Sequence, residues 1–309
     1  MPVASQLSPK KEEVISKVYY DMGGFGSINE TYKDAKEKDS SITLHNVRQW
    51  FEKNVERKNN LRRYNTFVAK SPDMEIAVDL FFITDRYLKD QVYSIGMIGI
   101  NAFTKKMTVV PLMKKNSAHL TAGLLETIKK QGVTPKAFYT DEEGGLKSTE
   151  LINYFQDKGI RFIFTRTHAG MAERGIRTFL EMLFKRIRAS KEPNPQWHDF
   201  IYPVTLTYNM RKENSVTGMT PNKAEKKENH PEVLANLYLK AKRDRKYPEL
   251  SVGDTVKVYR KRKKGEKEIT SVWSENNYTI ESIEQFQGQN FYNLSQGARP
   301  YSRHELLKV

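Results

Sequence analysis

No cysteine occurs among the 309 residues, which excludes disulfides, thiol catalysis and every cysteine-containing zinc site. No stretch approaches the ~20 consecutive apolar residues that a membrane span requires, and the start Met1-Pro2-Val3-Ala4-Ser5-Gln6 carries no apolar signal segment. These absences read as a soluble, intracellular protein without a membrane partner. Histidine is sparse: His45, His119, His168, His198, His230 and His304 are scattered without metal-ligand spacing. A lone histidine is more often a hydrogen-bonded surface residue than a catalyst. Acidic residues are in deficit, 37 against 52 Lys and Arg, giving a formal charge of +15. Such an excess calls for a polyanionic partner, nucleic acid first.

The polar pattern divides the chain into segments. Residues 1–60 read as short helices: Val14, Ile15, Val18 and Tyr19 recur at helical spacing, Gly23-Gly24-Phe25-Gly26 breaks the pattern, and Ser27 or Asn29 can cap a second helix. A third helix follows Ser40-Ser41, with Val47, Trp50 and Phe51 on one face. This fits a helix-turn-helix-like DNA-binding module and, equally, a plain helical bundle with a basic face. Over 72–210, three strand-like runs (76–83, 92–100, 107–112) precede a helix capped by Ser117, strand 137–141, helix 148–158, strand 161–165 and helices 172–190 and 197–209. Strands followed by alternating helix and strand describe an α/β mixed sheet covered on both faces. Residues 211–247 read as a basic linker, helical in part, and 248–309 as short strands of a small β-barrel. Within the last segment Arg260, Lys261, Arg262, Lys263 and Lys264 form a basic run suited to a phosphate backbone, although a solvated loop or a nuclear localisation signal has the same composition. Trp273, Tyr259 and Tyr278 fit the barrel core better than a methyl-lysine cage.

Three carboxylates carry the chemistry. Asp79 interrupts the apolar run Ile76-Ala-Val-Asp-Leu-Phe-Phe-Ile83, Asp141 closes the strand Ala137-Phe-Tyr-Thr-Asp, and Glu173 opens a long helix. A carboxylate within a buried strand is costly unless neutralised, and divalent magnesium accepts oxygen ligands from two or three acids plus a scissile phosphate. Strand alternation sets Asp79 on one face with Ala77 and Phe81. Arg177 and Leu180 follow Glu173 at helical spacing, so a guanidinium and a metal can approach one phosphate. Taken singly, each acid also fits a structural role: a paired buried acid, a turn residue, a helix-start charge.

Several motifs resemble those of retroviral-type (DDE, rve) integrases. Thr140-Asp141-Glu-Glu-Gly-Gly145 is similar to their Thr-Asp-x-Gly element, and His168-Ala-Gly-Met-Ala-Glu173-Arg174, continued by Ile176-Arg177-Thr178-Phe179-Leu180, resembles the stretch around their third acid. Tyr208-Asn209 and Thr217-Gly-Met-Thr-Pro221 resemble further elements, and the Glu-Arg and Arg-Thr pattern is most like the integrases of Maverick/Polinton elements and virophages. Phe291-Tyr292 with Glu305-Leu306 is like an SH3-like or chromodomain barrel. The resemblance implies an RNase H-like catalytic core with Asp79, Asp141 and Glu173 as catalytic and metal-binding triad, Mg²⁺ or Mn²⁺ as a pair of ions, and DNA contacts from Arg174 and Arg177. It further implies processing of donor DNA 3′ ends and strand transfer into target double-stranded DNA by a homo-oligomer, dimer or tetramer. A chromatin partner is implied as well, with location in the nucleus or at the site of viral DNA replication and packaging in virions. Two departures stand out: 31 residues separate Asp141 from Glu173, a shorter span than the retroviral pattern, and the zinc-binding His-His-Cys-Cys module is absent. The alternatives are a metal-dependent nuclease of the same fold that cleaves without joining, and an inert DNA- or chromatin-binding protein. His168, close to Glu173, is expected to matter less to strand transfer than Asp79.

Overall fold

The computed structural model describes residues 7–55, 67–84, 88–141, 145–165, 170–242, 247–260 and 271–309, in two compact units, Met1–Asn60 and Leu61–Val309. Lys261 to Lys264 and His168 lie outside the described residues. The first unit holds helices α1 (Pro9–Tyr19), α2 (Ile28–Lys38) and α3 (Leu44–Asn54). Ser27 and Glu30 close a capping box on α2, and Thr43 and Asn46 do the same on α3. Ile15, Ala35, Ile42, Val47, Trp50 and Phe51 form its core, so this unit packs on apolar contacts and needs no zinc.

The second unit is built on a five-stranded sheet of order β3-β2-β1-β4-β5, with β1 (Glu75–Phe82), β2 (Ile95–Asn101), β3 (Met107–Leu112), β4 (Ala137–Asp141) and β5 (Arg161–Thr165). The first three strands pair antiparallel as the expected meander, while β4 and β5 run parallel to β1. Helices α4 (Ser117–Gln131) and α5 (Thr149–Gln156) cover one face, where Leu120, Leu124, Leu151 and Phe155 meet Ile76, Val78, Leu80 and Phe138. Asn116, rather than Ser117, is the residue whose side chain caps α4. Helices α6 (Gly170–Ala189) and α7 (Ile201–Arg211) cover the other face, where Phe179, Leu183 and Val204 meet Ala77, Phe81, Ile98 and Ile100. Asn209 on α7 uses its amide to donate to Met107 O and accept from Met107 N, both at 2.9 Å, and so completes the ladder of the edge strand β3.

Within 211–247, read from composition as a basic linker helical in part, the described residues 211–242 include helices that pack on the sheet. Helices α8 (Pro221–Ala224) and α9 (His230–Lys242) supply Ala224, Val233 and Leu237 to a cluster with Met219, Met74, Ala102 and Phe103 at the foot of the sheet. The apolar residues were visible, but the charges around them hid their spacing. The last segment forms an antiparallel sheet of order β10-β6-β7-β8-β9, with β6 (Thr255–Val258), β7 (Tyr278–Phe286), β8 (Gln289–Leu294), β9 (Tyr301–Ser302) and β10 (Leu306–Lys308). Its two edge strands are joined by Arg303–Glu305 alone. Four residue steps reach at most about 14 Å, whereas five flat strands separate their edges by about 19 Å. The sheet is therefore curled, as a small barrel requires. Ser271-Val-Trp273, expected as a strand, makes only a bridge from Trp273 to Tyr259. Trp273 is buried, which favours the core role over an open aromatic cage.

Candidate active site

The site begins with register. β1 and β4 pair Glu75 with Ala137, Ile76 with Phe138 and Ala77 with Tyr139. The pairs end there, and the same offset two residues further on relates Asp79 to Asp141. Ala77, Phe81 and Tyr139 all pack on the α6 side of the sheet, so alternation turns both aspartates to that side. Asp79 is nearly buried, and its Oδ1 accepts from Leu80 N at 2.8 Å.

Helix α6 runs along β1. Met171 Sδ lies 3.9 Å from Lys105 Nζ in the β2–β3 turn, Gly175 rests on Ile98 and Ile100, and the Phe179 ring is 5.5 Å from that of Phe81. Ile98 and Ile100 are the register partners of Asp79 and Ala77, so Gly175 sits over the part of the sheet that holds Ala77 and Asp79. The helix flank carrying Met171 and Arg174 faces the β2–β3 turn and α7, since the Arg174 charge acts on both Lys105 and Tyr208. Glu173 projects from the opposite flank, with Ile176 and Leu180, towards β1 and β4. It is exposed, as is Arg177 one turn on.

Of the expected site residues, Asp79 and Asp141 lie on the α6 side of the sheet, and Glu173 and Arg177 are exposed on α6. Arg174 lies on the flank from which its charge acts on Lys105 and Tyr208. Arg260 belongs to the curled sheet, where its N–H donates to Val272 O at 2.7 Å. Three carboxylates offer an oxygen-only donor set that suits a hard divalent cation. Among the described residues, however, no three His, Asp or Glu side chains are gathered closely enough to hold one ion.

Composition and spacing missed two features. Glu75 shares the face of Asp79 and is fully buried at the foot of β1, where desolvation pushes its carboxyl up to about 8 against the pull of Lys105. Lys105, held in a left-handed conformation at φ 63°, donates to Ala102 O at 2.6 Å, and burial lowers its ammonium to about 8. The second feature is the curled sheet, which docks on the same face of the main sheet as α6. Arg161 reaches Glu284 at 3.1 Å and lies over the rings of Phe286 and Phe291, at 5.1 and 5.2 Å, and Phe291 is buried against Ala137 and Ile163.

No protein-family model matches the sequence, and no curated protein matches it. A chain of the cryo-EM structure of the simian T-cell lymphotropic virus intasome in complex with PP2A regulatory subunit B56 gamma superposes with a TM-score of 0.58 at 14% identity, over 92% of this chain and 99% of that one. The protein has a retroviral integrase-type fold. The HTLV-2 integrase catalytic core domain in complex with magnesium, in its trimeric form, aligns at 19% identity and TM-score 0.44, over 50% of this chain and 97% of that one. The BIV integrase catalytic core domain aligns at 12% identity and TM-score 0.41, over 52% and 97%.

Proposed function

We propose that this protein is a DNA integrase that processes 3′ ends of element or viral DNA and transfers them into target DNA. The observation that carries the reading is the β1–β4 register, whose offset, continued two residues past its last pair, relates Asp79 to Asp141 on the face that α6 covers. The integrase-type fold over 92% of the chain and the net charge of +15 support it. Asp79, Asp141 and Glu173 would hold two Mg²⁺ or Mn²⁺ ions, Glu173 being the longest and most exposed of the three. When bound, such ions activate the attacking oxygen and stabilise the leaving one. Arg177, one turn from Glu173, would neutralise the phosphodiester, and the Leu80 N–H donates to Asp79 Oδ1. The motifs around Glu173 support placing the element among Maverick/Polinton or virophage types, with action as a homo-oligomer on nuclear or viral replication-site DNA.

The test incubates full-length protein, Mg²⁺, labelled terminal-repeat DNA and supercoiled plasmid. Joined product lost in Asp79→Asn, Asp141→Asn and Glu173→Gln is expected. Cleavage without joining would replace the integrase by a nuclease, and neither activity would leave a DNA-binding protein.

A further inference from the structure

The curled carboxyl-terminal sheet does more than pack on the main one. Thr165 ends β5 and is the register partner of Asp141, so both side chains rise from the same face. Thr165 is completely buried, and its Oγ1 lies 3.5 Å from Nε2 of His304, in the turn that joins β9 to β10. The two residues are 139 positions apart in the chain. The turn is stiff: Glu305, fully buried, accepts from Ser302 N at 3.0 Å and from both Arg299 guanidinium nitrogens at 2.7 and 3.1 Å. Arg303 anchors it on the other side by donating to the carbonyl oxygens of Pro248 and Leu306. Lower down, the Arg161 clamp and the Phe291 contact fasten the same sheet to β4 and β5. α6 covers the β1–β2 half of this face, and the curled sheet covers the β4–β5 half. Asp79 stands on β1 and Asp141 on β4, both on this face.

We infer that the carboxyl-terminal sheet is a component of the reaction site in its own chain, and that His304 is a positioning residue which, through Thr165, holds the end of β4 and β5 so that Asp141 keeps its orientation. Burial lowers the imidazole from its ordinary value, against the opposing pull of Glu305, so a neutral ring meets the threonine hydroxyl at neutral pH. Thr165 takes no part in the chemistry; it transmits position. The inference rests on the integrase reading.

The experiment measures joining by full-length protein with Mg²⁺ and labelled donor DNA. His304→Ala should lower kcat about tenfold, in line with the sensitivity of reaction rates to small misplacements, and leave KM for donor DNA within about twofold. His304→Gln, whose amide nitrogen occupies the place of Nε2, should recover most of the loss. Thr165→Val should reproduce the defect from the other partner with the volume kept, and Thr165→Ser should not. An unchanged or faster rate in His304→Ala overturns the inference, as does a Gln variant no better than Ala or a change in KM alone. If Asp79→Asn abolishes joining while the His304 and Thr165 variants behave as wild type, only this inference falls. If wild type neither joins nor cleaves, the integrase reading falls and takes it along.

Discussion

Gly175 offers the sharpest separation of stability from activity. A Cβ built there would lie 2.9 Å from Ile100 Cδ1, 3.0 Å from Ile100 Cγ1 and 3.2 Å from Ile98 Cδ1. Carbon atoms in good contact sit at about 3.5–4.0 Å, so the methyl group of alanine arrives roughly 0.6–1 Å too close. Neither isoleucine has free space around it, since both are buried in the sheet. Replacing an interior helical glycine by alanine gains about 1 kcal/mol of helix propensity, and overpacking a core costs about 1–3 kcal/mol. Gly175→Ala should therefore change unfolding free energy little, a loss of about 0–2 kcal/mol.

Activity should respond far more. The strain is relieved by lifting the first turns of α6 from β2 by a fraction of an ångström to about 1 Å, and Glu173 travels with them. Misplacement of a reacting group by about 1 Å can cost on the order of 100-fold, so joining under single-turnover conditions should fall about 10- to 100-fold. Urea titration followed by tryptophan fluorescence gives the stability change on the same sample. If Gly175→Ala joins DNA within twofold of wild type while Glu173→Gln is inactive, Ile100 has yielded rather than the helix, and the reasoning that ties α6 seating to the site is refuted.

Other consequences follow from the same geometry. Asp79→Asn, measured in chelator, should raise the urea midpoint by the equivalent of about 1 kcal/mol, because it removes one of two neighbouring carboxylates from a mostly buried face; a lowered midpoint would argue against their proximity. Glu75 holds its proton in the folded state up to about pH 8 while the unfolded chain releases it near its ordinary value of 4.5, so folded stability should fall as pH rises through that window. Glu75→Gln should flatten the fall, and urea midpoints at pH 5 and pH 8 check it; a slope equal to wild type contradicts the assignment. Trp50 is buried at the centre of the first unit, so Trp50→Ala should cost about 3–5 kcal/mol there. Since that unit contains no cysteine site, a chelator should leave its helical circular dichroism intact; loss of signal would mean a metal holds it.

Much of this arrangement was legible in the residues. Asp79 announced itself as a charge within an apolar strand, and alternation correctly set it with Ala77 and Phe81 against Val78 and Leu80, which face opposite cores. The strands and helices from 75 to 211 follow their periodicity to within a few residues. Gly175 was the overlooked signal, because a glycine inside a long helix costs about 1 kcal/mol and persists where backbones approach closely. The packing of α8 and α9 on Phe103 and Met74 was not legible, because it depends on contacts distant in the chain, which local spacing does not encode. The same limit concealed His304, whose partner Thr165 is 139 positions away, and the Asn209 cap on Met107, 102 positions away.

The parallel pairing of β1 with β4 puts two acids far apart in the chain on one face of the sheet. The strands pair at a constant offset, 62 residues from Ala77 to Tyr139, and register partners share a face. A slip of one residue would turn Asp141 into the opposite core, among Phe138, Phe162 and Leu151. Register is held elsewhere: Lys136 N donates to Asp73 O at 2.7 Å, Ala137 N to Met74 O at 3.1 Å, and Lys136 Nζ reaches Asp73 Oδ2 at 3.0 Å. Gln287 of the curled sheet donates to the same Met74 carbonyl at 3.0 Å. The foot of the sheet therefore sets the spacing of the acids about 13 Å further along, and the carboxyl-terminal sheet grips it at both levels, at Met74 below and at Thr165 above.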